Sequence, residues 1–516
     1  MLILTIIRGI MSSLAAAISV KSTAFQRTVA IFILITSIGL SVVAGCGGGG
    51  SGSDGSSASG GYDSTSGTTN DGTSTTTATS SPTVSPTVSS TASPAPSGSP
   101  PSGTPPSGSP GGSPSPSSTS SSVTITATYL QDGGTVTKSG QTYESSTTDQ
   151  SGVGVINAGN LTLTDSTITT SGETTSQENS SFYGLNAGVI ATSGSTISMS
   201  NCKVTTTGSG GNGVFSTGSG STVNLTDVII SCTGGGGHGV DATIGGAMTL
   251  NNVTITTAGS NGAAIATDRG SGTITVTGGS VKTSGTDSPG IYSTGVITVS
   301  GATIAATGSE AAVIEGANSI TLTNTTLSGS KKRGVMIYQS MSGDAEGSKG
   351  TFTMTGGSLS ADVGPLLYVT NATGVISLTG VTLTAASGTL LSAAADSWGT
   401  TGSNGGNIVF TADGETMTGS LITDTYSSIT ATLKNSSTLT GFINSAALSL
   451  DATSIWNVTA NSVLTSLTDS SGISGTTITN IYGNGYTVTY DSSLSANSAL
   501  GGLTYTLNGG GTLAPR

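Results

Sequence analysis

One six-residue phrase, repeated nine times between residues 160 and 383, constrains the fold more than any other feature of the sequence. In each copy an apolar anchor is followed five residues later by an aliphatic residue, and Thr, Ser, Asn, Asp or Gly fills most positions between them. The anchors, mostly 23 to 26 residues apart, are Leu163, Met199, Leu225, Leu250, Val276, Val299, Leu322, Met354 and Leu378. Such a period predicts a solenoid, in which each unit buries its apolar side against its neighbours.

Each repeat contains three short segments with strand-like alternation. Two of them lie in the phrase itself, where Leu161 and Leu163 alternate with Thr162 and Thr164. A third segment precedes the phrase and opens with Gly and an aliphatic residue, as in Gly239-Val240. The Asp, Asn or Gly two residues after each anchor is typical of a turn. Three strands per repeat, stacked about 4.8 Å apart, predict an all-β parallel β-helix with three strands per coil.

The N-terminal 45 residues have the composition of a targeting segment. An apolar run from Val29 to Val43 follows Lys21 and Arg27 and leads into Val43-Ala-Gly-Cys46, which resembles the lipobox of bacterial lipoproteins. The resemblance implies a signal peptide over residues 1–45 and a lipid on Cys46. It also implies a lipid-anchored protein of the bacterial cell envelope, at the outer membrane or cell surface. A plain secretory signal or a single anchor helix is the alternative.

Residues 46–122 differ sharply in composition from the rest of the chain. They hold 11 of the 14 prolines among Gly, Ser and Thr, and Asp54, Asp63 and Asp71 are their only charged residues. So little apolar surface cannot offset the entropy of ordering, which predicts a disordered linker. We expect the β-helix to occupy residues 123–420, and shorter coils with a C-terminal cap to occupy residues 421–516.

The phrase pattern over residues 123–516 resembles right-handed parallel β-helix repeat proteins, particularly adhesin-like passengers of the pertactin type. The stretch from Ser454 to Leu467 resembles the terminal rungs of those passengers. The resemblance implies a right-handed coil and a role as an adhesin or a matrix or cell-surface interaction protein, with glycans or surface proteins as partners.

The charge and cysteine content exclude several classes of protein. Charged residues make up 7% of the chain and the formal net charge is −12, which argues against a nucleic-acid partner. Three cysteines rule out a disulfide scaffold, and we expect Cys202 and Cys232 to be buried free thiols. The sole histidine, His238, precedes a corner glycine, and the sequence predicts neither a metal site nor a cofactor.

Two groups of residues are candidate binding sites. The first is the densest polar cluster of the later repeats, in and around a long insertion, and consists of Lys331, Lys332, Arg333, Tyr338, Asp344 and Glu346. The second is the outward side of the third strand, where exposed aromatic rings could stack on sugars. Its members are Phe215, Asp241, Tyr292, Glu315, Tyr338 and Tyr368.

Two other functions remain open. A polysaccharide lyase or hydrolase would need paired carboxylates or Ca²⁺-binding acids, whereas the acids here are scattered, and no catalytic residue is predicted. An ice-binding protein would need outward Thr ladders such as Thr162/Thr164, Thr275/Thr277 and Thr321/Thr323. Ser198, Asn224, Asn251 and Ser377 interrupt those ladders.

Overall fold

The computed structural model of the chain describes residues 123–516. The predicted signal peptide, Cys46 and the linker lie outside the described residues. Within them the chain winds into a parallel β-solenoid of about 16 turns, which confirms the predicted parallel β-helix with three strands per coil. None of the helices in this range is long and apolar enough to cross a membrane.

The strands form three faces, each built from strands that pair in parallel with the preceding and following turns. Face 1 carries the anchors and contains β2 (Thr135–Ser139), β5 (Asn160–Thr164), β8 (Thr196–Ser200), β11 (Thr222–Thr226), β14 (Ala247–Asn251), β17 (Thr273–Thr277), β20 (Val296–Ser300), β27 (Thr373–Thr379), β30 (Asn407–Asp413), β33 (Ser428–Lys434) and the later residues of β35 (Ile443–Leu450) and β37 (Ser462–Thr468). Face 2 contains β3 (Thr142–Ser145), β6 (Thr167–Thr170), β9 (Lys203–Thr206), β12 (Ile229–Cys232), β15 (Thr254–Thr257), β18 (Ser280–Thr283), β21 (Thr303–Ala306), β28 (Thr382–Ala385), β31 (Thr416–Thr418), β34 (Thr438–Gly441), β36 (Ile455–Val458), β39 (Thr477–Tyr482) and β41 (Tyr505–Asn508). Two longer strands, β23 (Ser319–Gly329) and β25 (Lys349–Ala361), run from face 1 into face 2.

Face 3 is formed by the strands that open with Gly and an aliphatic residue, together with their equivalents in the other turns. It contains β1 (Thr126–Asp132), β4 (Gln150–Ile156), β7 (Val189–Ala191), β10 (Val214–Thr217), β13 (Val240–Thr243), β16 (Ile265–Thr267), β19 (Ile291–Ser293), β22 (Ala312–Glu315), β24 (Val335–Tyr338), β26 (Leu367–Thr370), β29 (Thr389–Ala393) and β32 (Ser420–Thr423). The start of β35, at Ile443 and Asn444, pairs with β32 and continues face 3 before the strand runs into face 1, and β37 follows the same course. β40 (Thr487–Tyr490) pairs with residues 462–464 of β37, and β42 (Thr512–Pro515) pairs with β40, so face 3 extends to the last turns. There, β38 (Ile473–Ser474) pairs antiparallel with β39, and a 3₁₀ helix spans Ser495–Leu500.

The interior is a stack of aliphatic columns, as the phrase predicts. The nine anchors pair with one another from turn to turn and are all buried, and Ala412, Leu433 and Leu450 continue their column. The second residues of the phrase, from Ile168 to Leu383, form a parallel column on face 2. Each apolar residue therefore packs on its counterparts one turn above and one turn below.

The corner between faces 1 and 2 requires left-handed backbone. The residue two positions after each anchor has a φ between +47° and +68° in all nine phrases. These residues are Asp165, Asn201, Asp227, Asn252, Gly278, Gly301, Asn324, Gly356 and Gly380. Gly, Asn and Asp tolerate this conformation best, which explains the Asp/Asn/Gly pattern and confirms the predicted turn.

A different corner, between faces 2 and 3, depends on glycine because the turns approach closely. A Cβ at Gly208, Gly234, Gly259, Gly285 or Gly308 would lie 1.9 to 2.1 Å from the carbonyl oxygen of the equivalent glycine one turn earlier. We call these five and Gly172, whose carbonyl receives Gly208, the corner glycine column. Their role is to leave room for the neighbouring turn.

Candidate functional site

The outward side of face 3 is buried, in contrast to the outward sides of faces 1 and 2. Phe215, Asp241, Tyr292 and Tyr338 are each 0 to 1% exposed, and Tyr368 is 6% exposed. The expectation that these side chains form an exposed surface for stacking on sugars is therefore wrong. The physical reason is that segments inserted between the repeats fold back over this face.

Three inserted segments contact the outward side of face 3. Helix α1 (Gln177–Tyr183), capped by Ser176 and ended by Gly184, lies over the early turns, where Thr243 donates a hydrogen bond to the carbonyl of Phe182 at 2.8 Å. The loops 339–348 and 394–406 cover the later turns, and Trp398 packs on Tyr338 with ring centroids 5.1 Å apart.

Arg269 joins two of these covering segments. Its guanidinium lies 3.6 Å from the centre of the Phe182 ring and forms ion pairs with Glu178 of α1 (3.3 Å) and Asp344 of the loop 339–348 (2.8 Å). Asp344, predicted as a binding residue, is thus already paired with a cation.

Under this cover, Tyr292, Tyr338 and Glu315 form a hydrogen-bonded cluster. Both tyrosine hydroxyls donate to the Glu315 carboxylate, Tyr338 at 2.7 Å, and Ser340 donates to its other oxygen. Burial, and then the charge of Glu315, raises the pKa of both Tyr292 and Tyr338 well above the ordinary value. Both tyrosines therefore stay protonated and act as donors.

The basic run at Lys331–Arg333 lies at the corner between faces 2 and 3, where acids from other turns surround it. Lys332 pairs with Asp287 and, at 3.8 Å, with Glu310. Arg333 contacts Glu310 at 3.2 Å. Since Glu310 is buried, these cations neutralise a carboxylate that would otherwise be costly to bury.

Arg333 also reaches the next polar group along the face. It pairs with Asp396 at 3.1 Å and stacks on the Tyr368 ring at 4.2 Å, while the Tyr368 hydroxyl donates to Asp396 at 2.9 Å. Burial and then the charge of Asp396 raise the pKa of Tyr368 to about 12.

The predicted polar cluster is consequently two separate groups. Lys331, Lys332 and Arg333 precede β24, whereas Tyr338 ends β24 and Asp344 and Glu346 follow it in the loop 339–348. Lys331 and Glu346 are exposed, and the other four residues are wholly or partly buried. The binding role of these residues stays a prediction, although the exposed surface it required is mostly taken up by contacts within the chain.

The structure brings together His238, Asp241 and Asp268, which the sequence did not associate. A ligand atom from each lies within 4.8 Å of the others, and all three residues are fully buried. Burial, and then the nearby Asp268, raises the pKa of Asp241 well above that of an exposed carboxyl. The only sequence signal is that Asp268 lies 27 residues after Asp241, which places it near Asp241 one turn later.

The outward side of face 1 carries an aligned column of side chains that all bear a hydroxyl except Asn224. Residues of this column pair from turn to turn and comprise Thr137, Thr162, Ser198, Asn224, Thr249, Thr275, Thr298, Thr321, Thr353, Ser377, Thr411 and Thr432. We call it the face 1 hydroxyl column. A second column two residues further along runs from Ser139 and Thr164 to Thr379 and includes Asn251.

Cys202 and Cys232 are buried and free, as predicted. Cys232 occupies a position held by Thr206 and Thr257 in the adjacent turns, and its thiol donates to the His238 carbonyl at 3.3 Å. Burial raises the pKa of Cys232 to about 11, which makes a thiolate nucleophile unfavourable there.

Comparisons with protein-family models, with curated proteins and with solved structures found no match to this chain. The β-helix fold is compatible with both adhesin and enzyme roles.

Proposed function

We propose that the protein is a lipid-anchored, surface-exposed β-helix that acts in adhesion or in contact with the extracellular matrix, with neutral glycans as its preferred partners. The observation that supports this most is the face 1 hydroxyl column. Its side chains repeat at the strand spacing of about 4.8 Å, so a polymer lying along the axis meets hydroxyl donors and acceptors at each turn of the column except that of Asn224. Individually weak contacts repeated in this way add through multivalency.

A catalytic role is less well supported. Hydrolysis or elimination on a polysaccharide needs carboxyl groups that an extended substrate can reach. Asp241, Glu310 and Glu315 are 0 to 1% exposed, and Glu310 and Glu315 already have Arg, Lys or Tyr partners. We therefore propose a binding protein and not an enzyme.

A glycan array probed with the full-length chain tests the proposal. We expect binding to extended neutral glycans that falls on Thr275→Val/Thr298→Val, because valine keeps the shape and removes the hydroxyls. A matched control, Thr303→Val/Thr326→Val, removes two hydroxyls from paired turns of face 2 and is expected to bind normally. Equal loss in both variants, or no binding to any glycan, would contradict the proposed surface.

Ice binding is the second candidate, because the same column aligns Thr side chains over successive turns. Asn224 in that column and Asn251 in the neighbouring one interrupt its regularity. Thermal hysteresis, measured on the wild type and on Thr275→Val/Thr298→Val, distinguishes the two functions. Hysteresis that the double substitution abolishes would favour ice binding over adhesion.

The proposed anchor is tested separately. Cells expressing the chain are labelled with an alkyne fatty acid and fractionated, and we expect label and membrane association in the wild type. Cys46→Ser is expected to lose both. Membrane association of unlabelled Cys46→Ser would instead support an anchor helix.

A further inference from the structure

From the arrangement of His238, Asp241 and Asp268, we propose a buried structural site for one divalent transition-metal cation of the Zn²⁺ class, bound between two consecutive turns of face 3. The three side chains come from a corner, a strand and the end of the next turn's strand. A cation held by all three would therefore fasten adjacent coils to each other.

Each ligand has a backbone position that the fold fixes. The backbone of His238 donates to the Asn212 side chain at 2.7 Å, and its carbonyl accepts from Gly213 at 2.8 Å. Asp241 lies in the centre of β13, in register with Ala266 of β16. Asp268 follows β16 and accepts a hydrogen bond from the Arg269 amide at 2.8 Å. These contacts fix the backbone from which each ligand side chain projects.

Asp241 provides the independent observation that points to a ligand. It is 0% exposed, and neither of its carboxylate oxygens has a hydrogen-bond partner among residues 123–516. A buried carboxylate without a partner is strongly disfavoured, and Asp268 nearby adds like-charge repulsion. A divalent cation would offset both costs.

The donor set selects the class of metal. One imidazole nitrogen and two carboxylate oxygens suit borderline ions such as Zn²⁺, whereas Ca²⁺ and Mg²⁺ prefer oxygen ligands alone. Ligand atoms around Zn²⁺ lie about 2.0 to 2.2 Å from the ion, hence roughly 3.5 Å from one another in a tetrahedral arrangement. The three ligand atoms now lie within 4.8 Å of one another, and small side-chain rotations would bring them to the separation that Zn²⁺ requires.

Because the three residues are fully buried, the ion would enter during folding. The full-length chain is therefore made by cell-free synthesis in chelated medium, with or without added ZnSO₄, then gel-filtered and assayed for zinc by mass spectrometry. We expect one zinc per chain when Zn²⁺ is present during synthesis, and a higher Tm than for the zinc-free chain, since binding to the folded state stabilises it.

Asp241→Asn and His238→Gln are expected to reduce the zinc content at a limiting Zn²⁺ concentration by about tenfold or more, and to abolish the Tm increase. Asp469→Asn, another buried Asp-to-Asn change in a turn without histidine, is the matched control and should retain one zinc. Wild-type chain without stoichiometric zinc overturns the proposal, whatever the variants do. The proposal is also overturned if Asp241→Asn leaves the zinc content unchanged. It is overturned as well if Asp241→Asn raises the Tm in the absence of zinc, because that result would indicate that Asp241 is protonated in the wild type.

Discussion

Replacing Gly234 with alanine tests the role of the corner glycine column. The new Cβ would lie 1.9 Å from the Gly208 carbonyl oxygen and 2.4 Å from its carbon. Both are backbone atoms of the preceding turn, so no side-chain rotation relieves the contact. Gly234 does not have a positive φ, and the cost therefore comes from the close approach of the turns.

The magnitude follows from what must move. The corner has to open by more than about 1 Å, and such overpacking typically costs about 1 to 3 kcal/mol. Thr233 donates to Thr206 at 3.0 Å and Gly236 to Ser260 at 2.8 Å, and weakening these bonds adds about 0.5 to 1.5 kcal/mol each. Alanine restricts the unfolded chain and returns about 0.4 to 1 kcal/mol. The net loss is centred on about 3 kcal/mol, within a range of about 1 to 6 kcal/mol.

Hydrogen exchange with mass spectrometry is the appropriate assay, because unfolding of a long solenoid need not be two-state. At about 1.4 kcal/mol per factor of ten, we expect the amides of β9, β12 and β15 to lose roughly 100-fold of their protection, and at least about fivefold. Distant turns should change little, since each turn contacts only its neighbours.

The matched control is Gly301→Asn at the other corner. Gly301 has a φ of +68° and no atom within 4 Å of an added Cβ, and Asn occupies the equivalent position at 201, 252 and 324. We expect a loss of protection below about fivefold, which is less than about 1 kcal/mol. If Gly234→Ala were no more harmful than Gly301→Asn, the close approach of the turns would not be the reason for glycine.

Three other predictions concern the core and the buried titratable groups. Leu250→Ala should lower the free energy of unfolding by about 2 to 5 kcal/mol, whereas Thr249→Ala, on the outward side, should change it by less than about 0.5 kcal/mol. Hydrogen exchange in β14 measures both losses, and similar values would contradict the interior column. Burial raises the pKa of Glu415 above 4.5, so the contribution of Glu415 to stability is present below pH 4.5 and is lost as the pH rises through the raised pKa. Glu415→Gln should therefore increase the Tm at pH 7, and a decrease in Tm would contradict this direction. Cys232 and Cys202 should not react with a thiol reagent until the chain is denatured, because burial raises both pKa values and blocks access, and native-state labelling would contradict this.

The parts of the fold that repeat could be predicted from the sequence. The spacing of five residues between Leu163 and Ile168 places both side chains inside only if a corner lies between them, and Asp165 supplies its left-handed residue. Repetition of this pattern nine times predicts the register of faces 1 and 2.

The parts that do not repeat could not be predicted. The cover over face 3 comes from insertions such as α1, whose partner Arg269 lies 91 residues away from Glu178, and no periodic signal marks either. For this reason the sequence alone predicts Tyr292 and Tyr368 at the surface, whereas both are buried. The corner glycine column could not be distinguished in the sequence, because its six members are among 80 glycines. The cluster of His238 with Asp268 could not be predicted because it depends on the offset in residues between consecutive turns, which varies along the chain.

The contacts of Arg269 have a consequence for the order in which the molecule is completed. Synthesis proceeds from the N-terminus, so Glu178 and Phe182 are made before Arg269, while Asp344 follows Arg269 by 75 residues. Until then Arg269 can pair only with Glu178 of α1, and the region around Tyr292 is not yet covered by the loop 339–348. A nascent chain stalled between residues 270 and 340 should consequently expose the apolar outward side of face 3 to the cell's proteases. That exposure ends once Asp344 has been made and pairs with Arg269.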